Sequence, residues 1–238
     1  MAGAATHPDY GLDSPLMVRH MFSRGGWTLL FALIVFIVNR AQYPGPSVQI
    51  LIVLGLIALG FFAAGWITMQ ASKTARFQIR DRILDSLQLT GEERLLDVGC
   101  GTGLMAIGAA RRLQGGRVTG LDQSEEADVV KANAKLEGVA EKVRVDTGVS
   151  AKLVYPDNHY DVVVSALALR GLGESDVREQ MVREMFRVLK SGGKLAIFDT
   201  TGASDYVQVL RSAGAQNVEL SGVIWYGIQP ARIVTARK

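Results

Sequence analysis

In the stretch LLDVGCGTGLM, Leu95 to Met105, an aspartate is followed by three glycines at alternate positions, and a second aspartate, Asp122, closes the next β-rich run. Asp97, Gly99, Gly101 and Gly103 thus sit where a buried strand breaks into a glycine-rich turn that opens a helix. A turn without Cβ atoms lets a ligand approach the backbone, and a carboxylate such as Asp122 can accept hydrogen bonds from both hydroxyls of a ribose. That is chemistry for holding a nucleotide or a nucleotide-like cofactor. The spacing is G-x-G-x-G, with Leu104 where the dinucleotide fingerprint has its third glycine, so a nicotinamide dinucleotide fits less well.

Such a turn needs a rigid sheet behind it. From Leu95 onward short β-rich runs (RLLDVG, RVTGLD, KVRV, YDVVVSAL, KLAIFDT) alternate with helical stretches such as LMAIGAARRL and VREQMVREMFRVL. Near-continuous apolar strands alternating with helices predict an α/β fold with a parallel sheet covered on both faces. The tail, AGAQNVELSGVIWYGIQPARIVTARK, reads as two further strands with little helix between them, a hairpin that places an antiparallel strand in the sheet.

The N-terminal part has a different character. Residues 1–24 read as a loose polar arm. Gly25 to Asn39 is a run of 15 uncharged residues, and Ala41 to Ser72 a run of 32, with Tyr43 to Pro46 (YPGP) as turn chemistry between them. The segment Val48 to Met69 makes a helix of roughly 33 Å, enough to cross a hydrocarbon core of about 30 Å, whereas 15 residues reach only about 22 Å. Residues 25–72 are therefore expected to form a transmembrane helical hairpin in contact with the lipid bilayer, and residues 73–238 the α/β domain. The competing reading, a cleaved signal peptide followed by a buried helix, fits less well, because the first run starts late and no small-residue cleavage site follows it.

Arg19 and Arg24 precede the hairpin, Lys73, Arg76, Arg80 and Arg82 follow it, and only Arg40 lies between the runs. The expectation is that both ends and the domain face the cytoplasm. Gly55, Gly60, Ala64 and Gly65 would give the second helix a small-residue surface for the first. In Ser72 to Leu89, apolar Ala75, Ile79, Ile83 and Leu87 recur every fourth position beside a basic face, as in a helix that leaves the membrane and covers the next domain.

Bulk properties exclude other classes. The 238 residues carry a net charge of +3, which offers no polycationic surface for nucleic acid. Cys100 is the only cysteine, so no intrachain disulfide is expected, and His7, His20 and His159 lack metal-ligand spacing.

At LLDVGCGTG, GLDQS, YPDNHYDVVVSALAL and RVLKSGGKLAIFD the chain resembles the class I S-adenosylmethionine-dependent methyltransferases, in the family's order and spacing, over about Leu89 to Lys238. The likeness is greatest to small methyltransferases of the ubiquinone/menaquinone type. It implies a Rossmann-like, seven-stranded, mostly parallel sheet with the last strand antiparallel, and S-adenosylmethionine as cofactor. Carried over, it puts Asp97, Gly99, Cys100, Gly101 and Gly103 around the methionine part, Asp122 on the ribose and Gln123 beside the adenine. Ser165, Ala166 and Leu167 would line the space between cofactor and acceptor. Relatives commonly carry an aspartate touching the adenine where this chain has Val149, so adenine recognition would rest on the backbone of Gly148, Val149 and Ser150. Arg170 stands where relatives often have histidine.

Several residues have plainer readings. Cys100 reads as a small turn residue, His159 as solvated and Asp199 as a loop cap. Tyr155, Tyr160 and Trp225 read as core residues. No strong base stands out, and no insertion is long enough to form a substrate lid. The acceptor is therefore expected to be a small lipophilic molecule entering from the bilayer (a quinone precursor, prenylated phenol, lipid amine or thiol). The alternatives are a soluble or membrane-protein acceptor, or a non-catalytic S-adenosylmethionine-binding membrane protein or assembly factor.

Overall fold

The structure is a computed structural model that describes residues 7–11, 15–123, 126–148 and 152–238. The chain divides into two compact units. One comprises residues 1–11, 77–224 and 230–238; the other comprises residues 12–76 and 225–229.

In the first unit, strands β1 (Arg94–Val98), β2 (Arg117–Asp122), β3 (Val143–Thr147), β4 (Tyr160–Ala166) and β5 (Leu189–Asp199) are parallel and lie in the order β3-β2-β1-β4-β5. β8 (Gln229–Arg237) runs antiparallel to both β5 and β6 (Gln216–Leu220), as the tail predicts. The sheet has eight strands rather than the expected seven, because the three-residue strand β7 (Ile224–Tyr226) pairs with β8. Its cause is local: Gly227, at φ +63°, takes the first position of a two-residue turn that folds the chain straight back.

The central strands are apolar on both faces, and Leu95, Leu96, Val118, Val163, Val164 and Leu195 have essentially no exposed surface. Burying each such side chain contributes about 1.5–3 kcal/mol. The crossover helices are α4 (Leu104–Ala110), α5 (Ala127–Leu136), α6 (Ser175–Val188) and α7 (Ala203–Ser212). The leading helix α3 (Arg76–Ser86) buries Ile79 and Ile83, and Leu87 just beyond it, at the spacing the sequence predicts. Ala75 instead belongs to a π-helical turn, Ala71–Ala75, which local periodicity does not reveal.

The second unit is built on α1 (Pro15–Asn39) and α2 (Pro44–Gln70). α1 begins ten residues before the expected Gly25, with proline at its first position, where no backbone N–H is needed. At 25 and 27 residues the two helices are about 37 and 40 Å long. Val18, Gly25 and Ala32 of α1 form a buried seam at a spacing of seven, facing Ala58 and Gly65 of α2. Gly25 lies against the ring of Phe62 and Gly65 against that of Phe22, whose centroids are 6.0 Å apart. Gly55 and Gly60 meet nothing, so the expected small-residue surface reduces to Gly65 and its neighbours along the seam.

The outer faces are apolar and exposed, with Leu56 at 64% and Leu59 at 61%. Hydroxyls within the helices donate to carbonyls one turn back: Ser47 to Tyr43 at 2.6 Å, Thr68 to Ala64 at 2.9 Å and Thr28 to Arg24 at 2.8 Å. Both helices are long and apolar enough to cross a membrane by length and composition.

Candidate cofactor site

Strand order reverses between β1 and β4, the switch point beside which open α/β sheets bind ligands at the carboxyl ends of their strands. Asp97, Gly99, Gly101, Gly103, Asp122, Gly148, Ala166 and Asp199 all lie at that edge of the sheet.

The glycine turn is held from below and open above. The N–H groups of Gly99 and Cys100 both donate to Leu121 O, at 2.7 and 3.1 Å, which fixes the turn to the end of β2. Gly99 has φ +74°, and a Cβ there would lie 2.1 Å from the Cβ of Ala168. Gly101 has φ +49°, and among the described residues a Cβ there would meet only Glu126, at 3.9 Å. The Gly101 N–H donates to Asp122 Oδ2 at 2.6 Å, which ties the second carboxylate to the turn.

Asp97 is 1% exposed, and its Oδ2 is buried without a hydrogen-bond partner among the described residues. Its carboxyl is pushed up to about 7, chiefly by burial; the Ala106 N–H bonded to it opposes the shift, and the nearby Asp122 charge adds to it. A buried acceptor with an open valence costs free energy unless a donor arrives. S-adenosylmethionine carries an ammonium group and a sulfonium, and a buried carboxylate beneath the loop fits their charge. Asp97 would hold the cationic methionine end, and Asp122 the ribose.

Gly148 is brought to this edge by its N–H, which donates to Asp122 O at 2.9 Å, while Gln123 is exposed next to Asp122. Val149 and Ser150 lie outside the described residues. Ser165 is buried, and its hydroxyl donates to Val98 O at 2.8 Å, so it ties β4 to β1. Ala166 ends β4, and Leu167 follows with φ +59°, a conformation an L residue adopts at a cost of about 1–3 kcal/mol.

Asp199 accepts the N–H groups of Arg170 at 3.1 Å and Thr200 at 2.7 Å and the Tyr206 hydroxyl at 3.3 Å, so it braces loops, as the capping reading has it. Burial pushes its carboxyl up, and those N–H groups oppose the shift. The Arg170 side chain turns back to donate to Leu167 O at 3.1 Å. Cys100 is buried and its thiol is pushed well above the usual range, chiefly by burial, which removes it as a nucleophile. Tyr160 is buried and Tyr155 packs edge-on against it at 5.2 Å, but Trp225, expected in the core, is 68% exposed.

Two features escape the sequence reading. The strap His7–Gly11 docks beside the glycine turn: Asn133, 2% exposed, accepts Asp9 N–H at 2.9 Å and donates to the carbonyls of Asp9 at 2.7 Å and Thr102 at 3.1 Å. The Thr102 hydroxyl donates to Tyr10 O at 2.9 Å. The second feature is Arg187, which holds the loop from Leu153 to Asp157. It donates to Leu153 O and Tyr155 O at 3.0 Å, to both Glu184 oxygens at 2.8 Å and to Asp157 at 2.5 Å.

Residues 96–197 match a family described as a methyltransferase domain. Among curated proteins, a demethylmenaquinone methyltransferase of Listeria monocytogenes serotype 4a is 39% identical over 108 residues, 45% of this chain and 44% of its own length. Methyltransferase GfsG of Streptomyces halstedii is 32% identical over 123 residues, 51% of this chain and 43% of its own. The chain thus spans under half the length of these relatives.

Among solved structures, the [4+2]-cyclase SpnF superposes with a TM-score of 0.60 at 24% identity, covering 70% of this chain and 82% of its own. A SAM-dependent methyltransferase from Aquifex aeolicus gives 0.53 at 22% identity, covering 66% and 88%. These likenesses carry the fold, and a cyclase among them shows that the fold alone does not name the reaction. Residues 96–197 are thus similar to methyltransferase domains on a sheet of the same fold, and the loop geometry and the homologues support S-adenosylmethionine as the cofactor.

Proposed function

We propose that the protein is a membrane-anchored enzyme that transfers a methyl group from S-adenosylmethionine to a small lipophilic acceptor: a quinone precursor, prenylated phenol, lipid amine or thiol. The observation that carries the cofactor half is the unpartnered Asp97 oxygen beside Asp122 at an open glycine turn. The bound sulfonium supplies an already activated methyl group, so the protein's part is alignment and exclusion of water. Asp97 orients the cationic end, Asp122 the ribose, and the backbone of Gly148, Val149 and Ser150 the adenine. Ser165, Ala166 and Leu167 line the space between cofactor and acceptor.

The lipophilic acceptor is supported by relatives described as demethylmenaquinone methyltransferases, from Listeria and from Bacteroides fragilis, and by the two exposed apolar helices. A bilayer hairpin at residues 25–72 has a further support. Residues 7–11 and the domain after Phe77 belong to one folded unit, which two crossings allow and a single crossing does not. Basic residues on both sides of the pair favour the cytoplasm for the domain.

The test is calorimetric titration of the detergent-solubilised full chain with S-adenosylmethionine, followed by transfer of radiolabelled methyl to a membrane lipid extract and to a water-soluble extract. Label in the lipid extract supports the reading. Label only in the soluble extract overturns the acceptor class, and binding without transfer overturns the enzyme.

A further inference from the structure

The turn between β7 and β8 has a surface that the cofactor site does not use. At Gly227 an added Cβ would lie 3.2 Å from the Cα of Thr68 and 3.6 Å from the Cβ of Ala71, so the turn rests on the backbone at the end of α2 with no room for a side chain between. On either side of this contact Trp225 is 68% exposed and Ile228 38% exposed, while Tyr226 between them is 5% exposed. The end of α2 has the same character: Trp66 is 56% and Ile67 49% exposed, and Lys73 follows one turn later. If α1 and α2 span a bilayer, Thr68 to Ala71 is where α2 leaves it, the depth at which tryptophan accumulates. A two-residue tip is too small for a stable protein interface, but it is of the right size and polarity to sit among lipid headgroups.

We propose that the Gly227 turn is a third membrane-contacting element, with Trp225 and Ile228 seated in the headgroup layer beside Trp66. The proposal rests on the reading of α1 and α2 as membrane-spanning. It makes the last hairpin of the domain, and not only the first helices, a lipid-binding surface.

The chain has three tryptophans, Trp27, Trp66 and Trp225, so fluorescence separates this proposal from the reading beneath it. Full-length protein is reconstituted in phosphatidylcholine vesicles brominated either near the headgroup or near the chain ends. Trp225 is read alone in the W27F/W66F variant, and again as the difference between the wild type and Trp225→Phe, which leaves the hairpin untouched. The expected result is loss of most Trp225 emission to the shallow bromines, with little loss to the deep ones. Unquenched Trp225 beside quenched Trp27 and Trp66 overturns the proposal and keeps the hairpin, as does stronger quenching by the deep bromines. If no tryptophan is quenched, the spanning reading falls and takes the proposal with it.

Discussion

The side-chain amide of Asn133 is locked to the backbone of Asp9 in both directions, accepting its N–H at 2.9 Å and donating to its carbonyl at 2.7 Å. The same amide donates to Thr102 O, so one buried side chain joins the strap to the glycine turn proposed to hold the cofactor. Asn133→Ala strands these backbone groups. The expected loss is about 1–3 kcal/mol of stability in denaturant unfolding, with faster amide exchange from Gly101 to Gly103. Unchanged exchange in that turn would show that the strap lies on the loop without restraining it.

Asp97 gives a pH dependence of definite sign. Its carboxyl is raised to about 7, so the folded chain holds that proton more tightly than the unfolded chain does. The group therefore costs stability progressively as pH rises from about 4 to about 7, and the full cost is present above that. Asp97→Asn removes this slope, so the variant's gain in thermal stability over the wild type is larger at pH 8 than at pH 5, while it binds S-adenosylmethionine more weakly. In the wild type, cofactor affinity rises with pH through about 7, because only the ionised carboxylate pairs with a cation. A flat affinity profile in titration calorimetry contradicts the role given to Asp97.

Asp122→Ala removes the acceptor of the Gly101 N–H together with the expected ribose contact. Hydrogen bonds to charged groups are worth about 1.5–3 kcal/mol each, so affinity for S-adenosylmethionine falls by at least roughly tenfold. Calorimetry of the two proteins side by side measures it.

The glycines of the turn separate fold from function. Gly99→Ala drives a Cβ to 2.1 Å from that of Ala168 and is expected to abolish soluble, folded protein. Gly101→Ala has space for its methyl and costs only the left-handed backbone, about 1–2 kcal/mol, yet that methyl enters the cofactor's approach. Circular dichroism with cofactor titration distinguishes the two.

Arg187→Lys keeps the charge and loses the fork that reaches the carbonyls of Leu153 and Tyr155 and the carboxylate of Glu184 together. Melting temperature falls, and proteolysis between Leu153 and Asp157 accelerates.

The sheet was legible because its code is local: apolar strands, glycine punctuation and helices at their own period fall in a row from Leu95 to Asp199. The strap was not, since Asp9 and Asn133 lie 124 residues apart and no local pattern joins them. Its one trace is a polar Asn133 on the face of α5 that buries Val130 and Ala134. The early start of α1 was hidden by Arg19, His20 and Arg24, which interrupt the hydropathy while Val18, Gly25 and Ala32 carry the seam through them. Trp225 was misread because an aromatic in a short strand has the same local signature whether it faces a core or not.

The strap also sets an order of events on the ribosome. Residues 7–11 leave the exit tunnel well before their partner Asn133, which appears only after both apolar helices have been made. That segment must wait, undocked, until Asn133 has been made. If α1 and α2 span a bilayer, as proposed, a chain with residues 7–11 across the membrane from the domain cannot close this contact, so Asp9 bonds to Asn133 only where both lie on one side.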